Sequence, residues 1–375
     1  MKYANKLFRT RKKDLYSGNS DRLFFLAMRE NCIFQYDRCP DYKRLLDAKG
    51  FDPRRDLNSF DDLAGIPFLP TLYFKRHDLR ANRRSLVQAT SSGTSGGNKS
   101  RVGFSVSDLW RMWQMVKRVC SYHRLWSLKP THYVVFGFEP NRSNKTAIAR
   151  TSFGATLFSP ALSRTYALRW RNGAYRLDLE AVKQKLIRYS KSKFPVRTIG
   201  FPAYTYFLLK EMKDAGIALQ MPKGSLVTLG GGWKQFYAEK VSKEDFYRLV
   251  YEVLGIDDRH IVEFFGAVEH PILYTDCRCH HFHIPAYGRV IIRDPDTLQP
   301  VGNDRMGLIN LLTPAVSVMP LLSVTTDDLG MVHTEPCPCG EPSPWLEIFG
   351  RVGIRDVVTC AQGASEFLKG AGDVK

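Results

Sequence analysis

The 375-residue sequence has few cysteines, no long apolar run and fewer acidic than basic residues. Eight cysteines are too few for a disulfide scaffold, and four are crowded into two short pairs, which favours a metal site or a reactive thiol. No stretch reaches the roughly 18 apolar residues of a membrane span, and the start lacks the apolar centre of a secretory signal. These absences predict a cytoplasmic protein with no membrane span.

Acidic residues are also few relative to basic residues. The chain has 55 Lys and Arg against 37 Asp and Glu, a formal net charge of +18. Such a charge attracts acidic proteins, anionic substrates or nucleic acids. The basic residues stand in short groups along the chain, and each group is typical of a solvated surface.

The composition that is present is that of a globular protein. It is 44% hydrophobic and 12% aromatic, enough for one large or two medium domains. Residues 1–60 have the pattern of polar, aromatic-containing helices. Predicted buried strands, separated in several places by helical segments, are 132–138, 197–209, 226–234, 262–269, 288–295 and 306–312. The alternation predicts an α/β fold with loops gathered at strand ends.

The stretch SSGTSGGNKS, residues 91–100, is rich in hydroxyl groups and glycine. It nearly satisfies the nucleotide-binding pattern G-x-x-x-x-G-K-[ST], with Asn98 in place of the second glycine. Strand-like alternation follows it rather than a helix, so it is a hairpin loop that could cradle phosphate oxygens, or a simple linker. Beyond it, a helix is predicted after a cap at Ser107, with apolar residues at helical spacing: Leu109, Met112, Trp113, Val116 and Cys120.

Four segments in this order resemble the adenylate-forming superfamily of acyl-CoA synthetases and adenylation domains. They are the loop TSSGTSGGNKS, FFGAVEH at 264–270, TTDDLG at 325–330 and the Gly-Arg pair at 350–351. Within that superfamily, IPFLPTLYFK (66–75), GGGWK (230–234) and a cysteine after the Gly-Arg pair resemble the LuxE-type acyl-protein synthetases. The resemblance covers about residues 60 to 365.

The resemblance implies a division of the chain. It predicts an adenylate-forming core at 61–350 with a zinc-binding subregion at 277–339, and a short C-terminal tail at 351–375 that carries Cys360; the helical segment at 1–60 precedes the region that the resemblance covers and is predicted from its residue pattern alone. The core corresponds to the large N-terminal domain of the superfamily, with mixed sheets and flanking helices. The superfamily's C-terminal domain, with its lysine, is truncated to the tail, where Lys369 or Lys375 are the alternatives for that lysine.

The resemblance also implies an ATP site. The phosphates would be bound by Ser91, Ser92, Gly93, Thr94, Ser95, Gly96 and Lys99, with Lys99 catalytic. The adenosine would be held by Gly230, Gly231, Gly232, Gly266 and Asp328, and Arg351 would contact the ribose or a phosphate. Glu269 would be a catalytic residue that holds Mg²⁺. From the residues alone, Glu269 could be an ordinary strand-end carboxylate and Asp328 a turn residue.

Cys360, in RDVVTCAQGASEF, stands where the resemblance places the catalytic cysteine that takes the acyl group as a thioester. Thr359 departs from the glycine that family members usually have before this cysteine. A lone cysteine is otherwise a small buried hydrophobe.

The two cysteine pairs lie in DCRCHHFHIP (276–285) and PCPCGEP (336–342). Thiolates and imidazoles in this number are typical of a closed tetrahedral zinc site, which would be structural. A similarity to ligases of the phenylacetate type implies Cys277, His283, Cys337 and Cys339 as the zinc ligands, with Cys279 as the alternative cysteine ligand. The alternative is free thiols on two turns.

The sequence therefore predicts a ligase with ATP, Mg²⁺ and structural Zn²⁺. It would activate a carboxylic acid, fatty or related, to an acyl-adenylate and pass the acyl group to Cys360 for a reductase or another acceptor. The first alternative is a ligase whose acceptor is coenzyme A or an acyl carrier protein, with Cys360 structural. The second is a basic, zinc-containing nucleic-acid-binding protein, which leaves the hydroxyl-rich loop unexplained.

Overall fold

The computed structural model describes residues 1–81, 84–90, 100–141, 144, 146–233, 236 and 239–351, with the backbone alone at position 351. Within these ranges the helices are α1 (Lys2–Leu7), α2 (Asp21–Arg38), α3 (Pro40–Ala48), α4 (Tyr73–Arg76), α5 (Val106–Tyr122), α6 (Ala147–Ala155), α7 (Leu179–Ser190), α8 (Pro202–Asp214) and α9 (Lys243–Leu254). None of the helices in these ranges is both long and apolar enough to span a bilayer.

The described strands are β1 (Leu69–Pro70), β2 (Val87–Thr90), β3 (Arg101–Phe104), β4 (Thr131–Phe138), β5 (Ala161–Arg171), β6 (Ala174–Leu177), β7 (Val196–Gly200), β8 (Leu226–Gly230), β9 (Ile261–Ala267), β10 (His270–Thr275), β11 (Phe282–His283), β12 (Arg289–Arg293), β13 (Gly307–Leu312), β14 (Ser323–His333) and β15 (Trp345–Arg351). Helices and several sheets thus confirm the predicted α/β class. The described residues form two compact units, the first from 1–90, 100–124 and 266–351, the second from 125–265. The boundaries 1–60, 61–350 and 351–375 stay a prediction.

The first unit contains a sheet of order β11-β15-β14-β13-β12, with β1 parallel to β14. Its core includes a buried loop between β13 and β14. Two side chains of α2 that are fully buried, Asn31 and Gln35, donate hydrogen bonds to four carbonyl oxygens of that loop. Buried backbone carbonyls require such partners. The N-terminal helices are therefore part of this unit's polar core.

Helix α5 differs from its prediction. Its cap is Ser105 rather than Ser107: the Ser105 hydroxyl accepts from the Asp108 N–H, and the Asp108 carboxylate accepts from the Ser105 N–H. The buried residues are Asp108, Arg111, Met115, Val119 and Cys120. Trp113, expected among the apolar residues that recur at helical spacing, is 54% exposed.

A buried ion pair explains this orientation. The Asp108 carboxylate and the Arg111 guanidinium pair in the interior, where Asp108 also accepts from the Ser317 N–H and Arg111 donates to the Ala315 carbonyl. Because a buried charge is tolerated only with such partners, these contacts hold Asp108 and Arg111 inside, on the same side of α5 as the buried Met115. The predicted helix is present, but of the apolar residues at helical spacing Cys120 is buried and Trp113 is exposed.

The second unit is built on parallel strands. Strands β4 to β9 follow the order β9-β8-β7-β4-β5-β6, and every pair is parallel except β5 with β6. Helices α7, α8 and α9 connect successive strands. The predicted strand 197–209 ends at Gly200, and Pro202 begins α8, because proline fits the first turn of a helix.

Candidate active site and metal centre

The carboxyl ends of the parallel strands mark the candidate active site of the second unit. The chain passes from β4 to β5 on one side and then returns to β7 on the other side of β4. In open parallel sheets, ligands bind outside the carboxyl ends at such a switch point. The segments that follow β4 and β7 at this edge begin at Glu139 and Phe201.

The triple glycine follows β8 at the same edge of the sheet. At Gly231 the backbone has φ +82°, and a Cβ there would lie 2.7 Å from the Phe201 ring. Only glycine allows this backbone to lie against the aromatic ring without strain. Gly230 ends the strand beside Phe264, and Gly232 has open space around its Cα. The packing of Phe201 on Gly231 was not foreseen from the sequence, although the glycine run was its signal.

Glu269 belongs to the two-residue turn that joins β9 to β10. Its side chain is buried at 5% exposure, and it forms no ion pair with any described residue. Carboxylate oxygens are ligands that Mg²⁺ prefers, so a side chain at this position could bind a metal ion. Gly266 is exposed, and a Cβ there would lie 2.9 Å from the Ile272 carbonyl oxygen.

Asp328 lies within β14, so the turn position considered for it is wrong. The antiparallel register of β14 and β15 pairs Asp328 with Arg351. Directly paired residues of antiparallel strands have Cα atoms about 5 Å apart. Asp328, expected to bind the ribose, and Arg351, expected to contact the ribose or a phosphate, are therefore cross-strand neighbours.

The hydroxyl-rich loop connects β2 to β3, and these strands pair antiparallel with Thr90 opposite Arg101. The predicted order of strand, loop and strand is confirmed at both flanks. Several predicted site residues lie outside the described residues: Ser91, Ser92, Gly93, Thr94, Ser95, Gly96, Lys99 and Cys360.

The first unit brings four of the predicted zinc ligands together. The ligand atoms of Cys277, His283, Cys337 and Cys339 all lie within 4.8 Å of one another. The Cys277 and Cys337 sulfurs are 3.8 Å apart, and Cys339 Sγ lies 3.2 Å from His283 Nε2. Tetrahedral zinc with ordinary bond lengths requires edges of about 3.8 Å between sulfurs and about 3.5 Å between sulfur and nitrogen. The donor set and its spacing fit such an ion.

Two similar turns present the sulfurs. In the first, the His280 N–H donates to the Cys277 carbonyl at 2.8 Å; in the second, the Gly340 N–H donates to the Cys337 carbonyl at 2.9 Å. His280 and Gly340 are both left-handed, with φ of +58° and +89°. In each turn the N–H of the second cysteine points at the sulfur of the first, at 3.3 and 3.5 Å. Such N–H groups stabilise the charge of a thiolate.

A second layer of contacts orients the cluster. His283 Nδ1 lies 2.8 Å from the Ser343 carbonyl oxygen, so this nitrogen carries the proton and Nε2 is free to bind a metal. His281 Nδ1 lies 3.2 Å from Cys337 Sγ, and its ring stacks on Trp345 at 3.8 Å. The sequence did not predict these orienting residues, because Ser343 and Trp345 belong to no motif.

Burial sets the protonation of the metal-free cluster. Desolvation raises the pKa of the Cys277 and Cys337 thiols and lowers the pKa of the His283 imidazole. The imidazole is therefore neutral and ready to bind, whereas the thiols must lose protons when a metal binds.

Solved structures of adenylate-forming ligases share this architecture. A 2-hydroxyisobutyryl-CoA ligase in the postadenylation state matches with a TM-score of 0.67 and 13% identity, over 90% of this chain and 69% of that chain. The same ligase in an open conformation with its adenylate and CoA matches with a TM-score of 0.64 and 14% identity, over 89% and 75%. The chain thus has the fold of an adenylate-forming enzyme.

The family described as "Acyl-protein synthetase, LuxE" matches residues 4–369, and the chain belongs to it. A long-chain-fatty-acid–luciferin-component ligase of Aliivibrio fischeri is 25% identical over 348 residues, 91% of this chain and 88% of that protein. The corresponding ligase of Vibrio harveyi is also 25% identical, over 91% and 86%. The protein is therefore a ligase that activates an acid and transfers its acyl group.

Proposed function

We propose that this ligase uses ATP to activate a fatty acid and then carries the acyl group on its own cysteine. A carboxylate oxygen attacks the α-phosphorus of ATP, which forms the acyl-adenylate and releases pyrophosphate. The Cys360 thiolate then attacks the acyl carbon, which forms a thioester and releases AMP. The family match over residues 4–369 carries the proposal, since the relatives named above are fatty-acid ligases.

The chain's own groups would place the nucleotide. The loop of Ser91 to Lys99 would hold the β- and γ-phosphates with hydroxyls and N–H groups. Adenine would lie on the glycine backbone beside Phe201, where no side chain intervenes. Asp328 and Arg351, paired across two strands, would bind the ribose.

Magnesium fits the position of Glu269. The carboxylate is buried and forms no ion pair with a described residue, so it could ligate a cation that also contacts phosphate oxygens. When bound, Mg²⁺ would screen the charge of the polyphosphate.

Zinc fits the cluster of Cys277, His283, Cys337 and Cys339 as a structural ion. All four donors come from the protein, which would leave no open coordination position for chemistry. The ion would join two turns that are 60 residues apart in the chain.

A labelled-acid experiment tests the proposal. The full chain is incubated with ATP, Mg²⁺ and radiolabelled fatty acids, and protein-bound label is measured before and after hydroxylamine, which cleaves thioesters. We expect label on the wild-type protein, its release by hydroxylamine and its loss in Cys360→Ser. Cys120→Ser, which alters a buried cysteine of α5, is the matched control and should keep the label.

A CoA or carrier-protein ligase is the second candidate, because the structural relatives include CoA ligases. In that case label would appear only on an added thiol acceptor, and Cys360→Ser would leave the rate unchanged. Pyrophosphate exchange with ATP would still depend on the acid in both candidates.

A further inference from the structure

Helix α5 presents an apolar side to solvent that the proposed reaction does not use. Val106 is 69% exposed and Trp113 is 54% exposed, and half-buried Trp110 lies between them at helical spacing. Leu86, whose N–H donates to the carbonyl of Phe104 beside the start of α5, is 66% exposed. Large apolar side chains gathered on one exposed side of a helix are typical of interaction surfaces, and tryptophan is enriched at their energetic centres.

Positive charge surrounds this apolar side. An open pocket of about 600 Å³ beside Trp110 has two charged residues in its lining, Arg9 and Arg84, and both are cations. The Arg9 guanidinium stands over the Trp110 ring at 5.3 Å. Lys117 is exposed one turn beyond Trp113. The nearest acid on the helix, Asp108, is buried and paired with Arg111, so it does not offset the charge of the surface.

The shape of the surface favours a protein over a membrane. A bilayer is flat on this scale, whereas a protruding apolar side chain can enter a pocket of this size. Acidic residues around that side chain would then meet the arginines at the rim, in the arrangement that gives specificity and fast association. A strongly acidic partner also matches the net charge of +18.

The position of the surface is compatible with acyl transfer. It lies at the end of the β2–β3 hairpin where Val87 pairs with Phe104, and the phosphate-binding loop leaves the other end, where Thr90 pairs with Arg101. Three residues of strand separate the two ends, roughly 10 Å. A partner docked here would therefore lie about one strand length from Thr90, the last described residue before the loop.

We propose that this surface, defined by Leu86, Val106, Trp110 and Trp113 with Arg9 and Arg84 at its rim, docks an acidic acyl carrier protein. The inference rests on the acid activation of the proposed function, which both candidate functions share, because it assigns a protein partner to the activated acyl group. The carrier's acidic side would pair with the arginines, and one apolar side chain of the carrier would pack against the tryptophans.

Calorimetric titration of purified holo-acyl carrier protein into the full chain tests this proposal. At low salt we expect saturable binding that weakens about tenfold in Trp113→Ala and in the double variant Arg9→Glu with Arg84→Glu. Higher salt should weaken the wild-type complex and affect the double variant less. The matched controls are Tyr251→Ala, at 60% exposed, and the double charge reversal Lys49→Glu with Lys223→Glu on exposed lysines; both should bind as wild type.

Pyrophosphate exchange with a fatty acid separates this inference from the proposed function. All variants should exchange at the wild-type rate, which also shows that they fold. Absence of carrier binding, or equal binding by all variants, with exchange intact would overturn the docking surface alone. Binding of vesicles of anionic phospholipid that is lost in Trp113→Ala, without binding of the carrier, would replace the protein partner by a membrane. Absence of exchange with every acid would instead overturn the proposed function.

Discussion

Loss of one zinc ligand provides the sharpest test of the metal centre. In Cys337→Ser the hydroxyl replaces a thiolate that lies 3.8 Å from Cys277 Sγ and 3.2 Å from His281 Nδ1. A serine hydroxyl is a poor zinc ligand at neutral pH, since it remains protonated. We therefore expect the purified wild-type protein to contain about one zinc ion per chain and the variant to contain little.

The loss of stability follows from linkage. An ion that binds only the folded state stabilises it by about 4 kcal/mol when its free concentration is 1,000 times the dissociation constant. The turns at Cys277 and Cys337 are tied together directly by the cluster, so this free energy is lost from the first unit when the ion leaves. For a chain of 375 residues we expect the unfolding midpoint to fall by about 5 °C.

Metal analysis by mass spectrometry and thermal unfolding with and without a chelator measure both effects. Cys279→Ser is the matched control, because Cys279 lies in the same turn as Cys277 but is not among the four clustered donors. It should keep the zinc and the unfolding midpoint. If the wild-type protein were folded, metal-free and unaffected by chelator, the assignment of a zinc site would be refuted.

Three further predictions concern the active site and its surroundings. Thr94→Ala with Ser95→Ala should reduce pyrophosphate exchange at least about tenfold with an unchanged circular dichroism spectrum; unchanged exchange would remove the loop from the mechanism. Gly231→Ala should lower the pyrophosphate exchange rate and the free energy of unfolding more than Gly232→Ala does, because only at Gly231 would the new Cβ meet a ring, at 2.7 Å. Equal losses of exchange rate and of unfolding free energy, measured in urea, would contradict this reason. Burial lowers the pKa of His270 to about 3, below its ordinary 6.5, so the unfolded chain takes up a proton first as the pH falls. From this group alone, the free energy of unfolding should fall by about 2 kcal/mol between pH 7 and pH 5. Urea titrations of His270→Gln should lack this fall. If the free energy of unfolding depended on pH in the same way in both proteins, His270 would not be responsible.

The sequence was most informative where chemistry requires a short pattern. The strand–loop–strand order around residues 91–100 and the spacing of the cysteine pairs were both readable, because glycine, hydroxyl and thiol groups have few other reasons to stand at such intervals. The α/β class was predicted from the alternation of strand and helix patterns. The orienting contacts of the zinc cluster were not predictable, since Ser343 and Trp345 come from a separate segment with no motif.

Two predictions differ from the structure, because an apolar pattern by itself fixes neither the element type nor the buried side of a helix. The pattern at 197–209 predicts a strand, whereas the residues from Pro202 form α8. Apolar runs do not distinguish a strand from a buried helix, and Pro202 is the residue that indicates the start of the helix. In α5, two tryptophans and a valine are exposed or half-exposed, while Asp108 and Arg111 are buried.

The orientation of α5 connects stability to the proposed interaction surface. Asp108 and Arg111 are held inside by backbone groups of Ser317 and Ala315, so turning the helix to bury its tryptophans would leave two charges and several backbone groups without partners. Breaking a buried, hydrogen-bonded ion pair costs about 3 to 5 kcal/mol, and each backbone group left unpaired would add about 1 to 3 kcal/mol. The exposure of Trp113 is thus a consequence of the polar core on the other side of the helix. A surface fixed in this way is preorganised, because no rearrangement is needed before a partner binds.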